Sequence, residues 1–284
     1  MAVAELLTER RLISNPLYFR LMGQWSGKDQ KIKPGLYVFH TAMRPMEILD
    51  MLVLGKISQK EVIIREGLSV REIAKILYQA GLGSEQDFRT AASDPIILHE
   101  FGIGAESLEG YLFPDTYFIA EGASSEDIIK QMVGRFKSRF NALVEKKEIS
   151  SELSQREIVI LASIIDKETS SGDERPIISA VFHNRLRQGI RLQSDPTVIF
   201  GIPNFNGNIT RKNLMTPSPY NTYLIPGLPP GPIGNPGEAA LSAAMFPAEV
   251  DYIYFVSKNN GTHYFSKTLE EHNNAVNKYQ RKLF

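Results

Sequence analysis

The clearest pattern of apolar and polar positions in the chain predicts a buried helix that ends in a carboxylate. Ser154 and Glu157 stand three positions apart, as in a capping box, where each side chain binds a free backbone amide of the first turn. Apolar residues then fill nearly every position up to Ile165, so the whole circumference of the helix suits the core. Glu168 continues the stripe of Ile165 at helical spacing. We therefore expect a core helix over residues 154–168.

Glu168 is the first candidate for chemistry. A carboxyl group on the last turn of a buried helix loses hydration, and desolvation raises its pKa toward the range of a general acid. The alternative is an ordinary helix-end glutamate paired with Lys167 or Arg175. The apolar stripe alone does not distinguish a general acid from an ordinary helix-end glutamate, so the rest of the chain must be considered.

The first third of the chain reads as two short strand–turn–helix units. Residues 35–40 have strand composition, and residues 44–54 have helical periodicity that ends at a glycine. Residues 61–65 form a second candidate strand. A capping box at Ser69 then starts a helix that runs to Gly81. The two units resemble each other in pattern, but they are too short to establish a repeat.

The middle of the chain, residues 84–150, is polar and helical except for residues 109–117. This exception holds three aromatic residues together with Gly, Pro and Asp. Such a composition suits a rigid loop or strand that lines a cleft, where Tyr111 offers a ring face and Asp115 a carboxylate. Buried loop packing is the alternative, and the composition fits both equally.

The last third combines a helix, a long loop region and a hairpin. A helix over residues 175–188 ends at a glycine, and residues 190–237 hold nine prolines and little regular pattern. Loops of this length in a compact domain are usually functional. Residues 252–256 and 262–265 flank an Asn-Asn-Gly turn, which predicts a hairpin, and Thr268 caps a final helix.

Composition narrows the classes of function. The 284 residues carry 32 basic and 32 acidic side chains without a run of like charge, so nucleic-acid binding is not indicated. The absence of cysteine excludes disulfides, thiolate metal sites and cysteine nucleophiles. The five histidines lack the spacing of metal ligands, and we expect neither a metal nor a cofactor. No apolar run approaches the roughly 20 residues that span a bilayer, and no signal peptide is visible.

A pair of catalytic carboxylates would need a second acid near Glu168. Asp166 lies two positions earlier, and such residues point about 200° apart on a helix, so the two cannot flank one bond. We expect Asp166 to make a structural contact. Asp115, Glu174 and Asp195 could oppose Glu168 only through the fold.

Five short motifs, and the order in which they follow one another along the chain, closely resemble those of the endolytic murein transglycosylases, the MltG or YceG-like family. They are Asp166–Thr169 (DKET), Arg191–Thr197 (RLQSDPT), Pro219–Tyr223 (PYNTY), Pro226–Gly231 (PGLPPG) and Tyr254–Val256 (YFV). Residues 109–117 match as well. The resemblance implies cleavage of the β-1,4 bond between N-acetylmuramic acid and N-acetylglucosamine within glycan strands, leaving a 1,6-anhydro end. It implies that Glu168 is the single general acid and base, and Asp166 stands where the family usually has Glu.

The resemblance also implies an architecture and further site residues. We expect an α+β fold, with an N-terminally truncated LysM-like glycan-binding module at residues 1–82. Residues 83–284 would form a larger, mainly helical, lysozyme-like catalytic domain with a Pro/Gly-rich loop region and a C-terminal hairpin. Gln193, Tyr220 and Asn221 are expected to line the cleft, by a weaker analogy with the soluble lytic transglycosylases. The full set of expected substrate contacts is Tyr111, Asp115, Gln193, Asp195, Tyr220 and Asn221.

The expected partners are peptidoglycan glycan strands, with peptidoglycan synthases as further candidates. The resemblance implies a parent protein anchored in the cytoplasmic membrane by one N-terminal helix, with its catalytic domain on the outer, periplasmic side. This chain is then a soluble piece of that parent. Two alternatives stay open: a glycan-binding scaffold without activity, and a hydrolase in which Asp195 or Asp115 acts opposite Glu168.

Overall fold

The computed structural model describes residues 2–40, 42–55, 58–146, 149–203, 205 and 207–281. The described residues form helices and two small antiparallel sheets, which confirms the α+β class. The helices are α1 Ala2–Glu9, α2 Pro16–Trp25, α3 Pro45–Leu54, α4 Val70–Gln79, α5 Glu85–Ala91, α6 Pro95–Glu100, α7 Ser125–Lys146, α8 Gln155–Glu168, α9 Arg175–Arg187, α10 Asp195–Phe200, α11 Arg211–Leu214, α12 Glu238–Met245 and α13 Leu269–Tyr279. The strands are β1 Gln59–Ile63, β2 Thr116–Ala120, β3 Tyr254–Ser257 and β4 His263–Ser266.

The N-terminal helices α1 to α3 enclose a small core of their own. The predicted helix over residues 44–54 is α3, which ends at Gly55 in a left-handed conformation with φ 72°. The predicted strand at residues 35–40 is wrong, because these residues make no strand pairing. A strand needs a partner to satisfy its backbone groups, and composition cannot supply one. The LysM-like module therefore stays a prediction.

The first sheet joins distant parts of the chain. β1 begins two residues before the predicted strand and pairs with β2, so that Gln59 lies opposite Ala120 and Ile63 opposite Thr116. The second core cluster, which contains Val62 and Ile73 together with Ile119 and Met132, lies beside this sheet. Both features contain residues from either side of the predicted boundary at 82/83. The division into two domains stays a prediction.

Helix α8 runs through the largest core, as its pattern predicts. Ser154 and Glu157 form the capping box, with the Ser154 amide donating to Glu157 Oε2 at 2.9 Å. Every residue from Ile158 to Ile165 is buried, including Ser163, and α7, α9 and α12 contribute to the same core. The helix ends at Glu168, and Thr169 is extended. The core therefore fixes the direction in which α8 presents its last turn.

The predicted C-terminal elements are also present. The helix over residues 175–188 is α9, and β3 and β4 form the predicted hairpin with Phe255 opposite Phe265. Thr268 caps α13 through the Glu271 amide. The region of residues 190–237 is mostly loop, with two short helices, α10 and α11. No helix in the described ranges is both long and apolar enough to cross a bilayer.

Candidate active site

The carboxyl group of Glu168 lies at the end of α8 and contacts the loop that precedes α10. The Ser194 hydroxyl donates a hydrogen bond to Glu168 Oε1 at 2.5 Å. Ser194 is buried, whereas Glu168 is only partly buried and keeps some contact with solvent. Ser194 thus holds one oxygen of the carboxyl group, and the residue as a whole is not sealed from solvent.

The environment of Glu168 holds its pKa near neutrality. Burial raises the pKa from its usual 4.5 to about 7. The Ser194 hydrogen bond and the Arg185 charge act in the opposite direction, and the negative charge of Asp195 adds to the rise. A carboxyl group with a pKa near 7 can both give and take a proton at neutral pH.

Arg185 on α9 holds the loop that carries Ser194. Its Nε donates to the carbonyl of Ile253 at 2.7 Å, and its Nη1 donates to the carbonyl of Leu192 at 2.9 Å. The guanidinium also lies 5.2 Å from the ring centroid of Tyr254. A single buried side chain therefore connects the α10 loop to the C-terminal hairpin. Sequence reasoning missed this role, although a charge on the apolar stripe of a predicted helix is a visible anomaly.

A buried network of hydroxyl groups lies behind Ser194. The Ser194 amide donates to Thr222 Oγ1 at 3.0 Å, and Thr197 Oγ1 donates to the Ser194 carbonyl at 2.7 Å. Thr197 Oγ1 and Thr222 Oγ1 are 2.8 Å apart, and both residues are fully buried. All three residues lie within the Arg191–Thr197 and Pro219–Tyr223 motifs, although the resemblance implied roles for their neighbours and not for them.

Asp195 and Tyr223 form a second pair beside Glu168. The Tyr223 hydroxyl donates to Asp195 Oδ1 at 2.7 Å, and Asp195 is exposed. Burial raises the pKa of Tyr223, and the neighbouring Asp195 and Glu168 raise it further, so the phenol keeps its proton. Asp195, a predicted contact residue, therefore lies in the Glu168 neighbourhood.

Gln193 lies on the loop before α10, and Tyr220 lies on the loop after α11. Gln193 is exposed, and its Oε1 accepts a long hydrogen bond from Arg185 Nη1 at 3.4 Å. Tyr220 is partly buried and packs against Phe200 with ring centroids 4.8 Å apart. Gln193 thus has a side chain that a ligand can reach, whereas the ring of Tyr220 is partly used by packing.

Asn221 has a structural role in its loop. Its Nδ2 donates to the carbonyls of Leu214 and Thr216 at 3.0 and 2.8 Å, and its Oδ1 accepts from the Tyr223 amide. The residue is fully buried. With its amide committed to the backbone, Asn221 can act on a substrate only through the loop that it holds.

Tyr111 and Asp115 make contacts elsewhere. Tyr111 is buried and packs edge-on against Phe136 at 5.2 Å, close to the first turn of α8, which lies about 20 Å from Glu168 along the helix. Asp115 pairs with Arg135 Nε at 2.9 Å. The buried-packing interpretation therefore describes Tyr111, and Asp115 is occupied by an ion pair.

Asp166 and Glu168 contact different elements, as their helical positions predict. Asp166 Oδ1 is 3.3 Å from Arg175 Nη2, and its side chain is 1% exposed. Burial and the charge of Glu66 raise its pKa to about 6, against the opposing charge of Arg175. Asp166 is thus a buried partner of the first residue of α9.

Glu109 is a further buried acid that sequence reasoning missed. Both of its oxygens lie 3.1 Å from the Val70 amide, and Oε1 accepts from Asn235 Nδ2 at 3.0 Å. Burial raises its pKa to about 8. Asn235 also accepts from the Leu112 amide at 2.8 Å and donates to the Leu68 carbonyl at 2.8 Å. These contacts join three loops at one place, which we call the Asn235 joint, comprising Gly67–Val70, Glu109–Leu112 and Asn235.

The described residues form a mixed α+β protein with a carboxyl-centred candidate site at the end of its central helix. In the described part of the chain, no group of three or more metal-ligating side chains accompanies it. The sequence pattern of the YceG-like family matches residues 1–278, and the chain belongs to that family.

Similar proteins support this assignment over nearly the whole chain. An endolytic murein transglycosylase of Bacillus subtilis is 32% identical in an alignment 297 positions long, which covers 98% of this chain and 81% of that protein. An endolytic murein transglycosylase of Streptococcus pneumoniae is 26% identical, over 95% of this chain and 54% of its own length. The chain thus spans about half of that longer relative. The crystal structure of a YceG-like protein from Listeria monocytogenes is similar with a TM-score of 0.68 and 31% identity, covering 96% of this chain and 94% of that chain.

Proposed function

We propose that this chain is an endolytic murein transglycosylase that uses Glu168 as its single general acid and base. The observation that carries the proposal is the carboxyl group of Glu168, with a pKa of about 7 and a fixed orientation at the end of a core helix. The names of the Bacillus and Streptococcus relatives supply the substrate class, the glycan strands of peptidoglycan.

The proposed reaction needs one carboxyl group. Protonated Glu168 donates its proton to the glycosidic oxygen between N-acetylmuramic acid and N-acetylglucosamine, and the bond to C1 of the muramic acid breaks. The resulting carboxylate takes the proton of the 6-hydroxyl of the same sugar as that oxygen attacks C1. The 1,6-anhydro ring closes, the proton returns to Glu168, and no water is consumed. Asp166 is not needed, because it faces Arg175.

Polar groups around Glu168 are the proposed substrate contacts. Gln193 and Asp195 are exposed on either side of Ser194, and Tyr220 is a partly exposed residue of the loop that also carries Tyr223. Donors and acceptors that are already in place cost little reorganisation when charge develops at C1. Asn221 contributes by holding its loop.

We further propose that residues 1–82 bind glycan and that the protein acts outside the cytoplasmic membrane, where its substrate lies. Trp25 is 90% exposed and Tyr18 is 60% exposed on α2. Exposed aromatic faces are suited to stacking on sugar rings.

The test is product analysis of wild-type protein and Glu168→Gln on purified glycan strands, by mass spectrometry. We expect 1,6-anhydro ends from the wild type and a loss of at least about 100-fold in the variant, the usual contribution of a general acid. Glu145→Gln, an exposed change on α7, is the matched control and should retain activity. Reducing ends would identify a hydrolase, and Asp195 would then be the candidate second carboxylate. No cleavage by the wild type would identify a glycan-binding scaffold, and an active Glu168→Gln would refute the role of Glu168.

A further inference from the structure

We propose that Ser194 is a positioning residue that determines which oxygen of Glu168 carries the catalytic proton. The proposal rests on the proposed function of Glu168. The Ser194 hydroxyl has one proton, and it donates that proton to Glu168 Oε1 at 2.5 Å. In a protonated carboxyl group the C=O oxygen is the better hydrogen-bond acceptor, so the oxygen that accepts the Ser194 bond is the one without the proton. Oε2 is then the oxygen that carries the proton and faces the glycosidic bond.

The Ser194 hydroxyl does not cap the helix that follows it. Ser194 is the N-cap residue of α10, where a serine side chain normally accepts a hydrogen bond from an amide of the first turn. Here the side chain makes no capping bond. The first turn is closed instead by the Thr197 amide and hydroxyl, which both donate to the Ser194 carbonyl. The Ser194 hydroxyl is therefore left for Glu168.

The backbone of Ser194 is fixed on both sides. Its amide donates to Thr222 Oγ1, and its carbonyl accepts from Thr197, so both backbone polar groups have buried partners. Because the backbone cannot turn without breaking these bonds, the Cα–Cβ direction points the hydroxyl at Glu168.

The residue before Ser194 has an unfavourable conformation that the surroundings maintain. Gln193 has φ 52°, in the left-handed region that a residue with a side chain rarely adopts. Arg185 holds the carbonyls of Arg191 and Leu192 on one side, and the Gln193 amide donates to the Thr222 carbonyl. Strain that is held in this way marks positions where the loop path serves a site. The loop path delivers Ser194 to the carboxyl group.

Two charged groups besides Ser194 shift the pKa of Glu168, and a neutral group, Tyr223, lies beside them. Asp195 on α10 disfavours the carboxylate, and Arg185 on α9 favours it. Tyr223, bonded to Asp195, is a neutral phenol. The Ser194 hydrogen bond favours the carboxylate. Without this bond, Glu168 holds its proton more strongly, and either of its oxygens can carry that proton.

The test compares Ser194→Ala, Ser194→Thr and Ser194→Cys by the pH dependence of kcat and kcat/KM on soluble glycan strands. Activity on the alkaline side falls as Glu168 loses its proton. For Ser194→Ala we expect this limb to move up by about one pH unit and kcat to fall roughly 10- to 100-fold, with KM little changed. Ser194→Thr keeps a hydroxyl and should restore most of kcat and the wild-type limb. Ser194→Cys, with a weak donor, should lie between the two.

The matched control is Ser179→Ala, which removes a fully buried serine hydroxyl on α9 that has no hydrogen-bond partner in the described part of the chain. It should leave kcat and the pH profile unchanged. Full activity of Ser194→Ala, or a loss with an unmoved alkaline limb that Ser194→Thr does not restore, would overturn the proposal.

Failure of the proposed function is recognised separately, from a wild type that forms no anhydro ends or an active Glu168→Gln. In that case the carboxyl carbon of Glu168 can still be titrated by ¹³C NMR in wild type and Ser194→Ala. A higher pKa in the variant would support the Ser194 contact, and an equal pKa would reject it.

Discussion

Replacing Glu168 with glutamine should stabilise the folded protein at pH 8, in addition to removing the proposed activity. The pKa of Glu168 rises from its usual 4.5 to about 7 in the folded protein. Each pH unit of such a difference corresponds to about 1.4 kcal/mol between the two protonation states. Since Glu168 keeps some contact with water, which screens part of the effect, we expect a cost of about 2–3 kcal/mol for the ionised residue.

The sign of the effect follows from the two pKa values. The folded state binds the proton more tightly than the unfolded state, so stability is lost as the pH rises from about 4.5 through 7. Below pH 4.5 both states are protonated, and Glu168 costs nothing. Glutamine is neutral throughout and can still accept the Ser194 hydrogen bond.

The measurement is urea unfolding of wild type and Glu168→Gln at pH 5 and pH 8. We expect the variant to be more stable by about 2–3 kcal/mol at pH 8 and by less than about 1 kcal/mol at pH 5. The gain at pH 8 corresponds to a rise in Tm of roughly 5 °C for a chain of this size. The exposed change Glu145→Gln should give the same small difference at both pH values. A Glu168→Gln gain that does not grow between pH 5 and pH 8 would show that Glu168 is not desolvated as described.

Two further predictions concern other parts of the molecule. Asp166→Asn should keep cleavage within about tenfold of wild type per folded molecule, because its side chain contacts Arg175 and not Glu168. Equal inactivity of Asp166→Asn and Glu168→Gln would return a paired-carboxylate mechanism. Asn235→Ala should lower the free energy of unfolding by about 2–4 kcal/mol, since it leaves the buried Leu112 amide unpaired and removes two donated bonds. Asn274→Ala, on the exposed face of α13, is the control and should unfold like the wild type. Equal unfolding curves for Asn235→Ala and the wild type would contradict the prediction.

The elements that the sequence pattern predicted correctly are those specified by local chemistry. Helix α8 has a capping box and a continuous apolar body, and the hairpin has a turn whose Asn259 and Gly261 accept positive φ. The strand predicted at residues 35–40 is absent, because a strand forms only where a partner is available. The partner of β1 is β2, which lies more than 50 residues later in the chain. Local patterns do not contain that choice.

The candidate site also contains residues that a local pattern reveals and residues that it does not. Glu168 could be found from one helix, because a carboxylate on an apolar stripe is unusual within a single element. Ser194 and Thr222 could not be singled out in this way, because their roles arise where the loop before α10 meets the loop after α11. Arg185 is visible in the sequence only as a charge on an apolar stripe, and its partners come from other parts of the chain. Asn221 is buried in its loop, and the next two residues, Thr222 and Tyr223, make the contacts to Ser194 and Asp195.

The Asn235 joint has a consequence for the order in which the chain folds. Asn235 is the hydrogen-bond partner of both the Leu68 carbonyl, which lies 167 residues earlier in the chain, and the Leu112 amide, which lies 123 residues earlier. Closing loops of this size costs chain entropy before any contact compensates for it. During synthesis, the segment around residue 68 must remain incompletely bonded until residue 235 has left the ribosome. We therefore expect the joint to form late, and an interrupted chain that ends before residue 235 to be a substrate for proteases rather than a stable fragment.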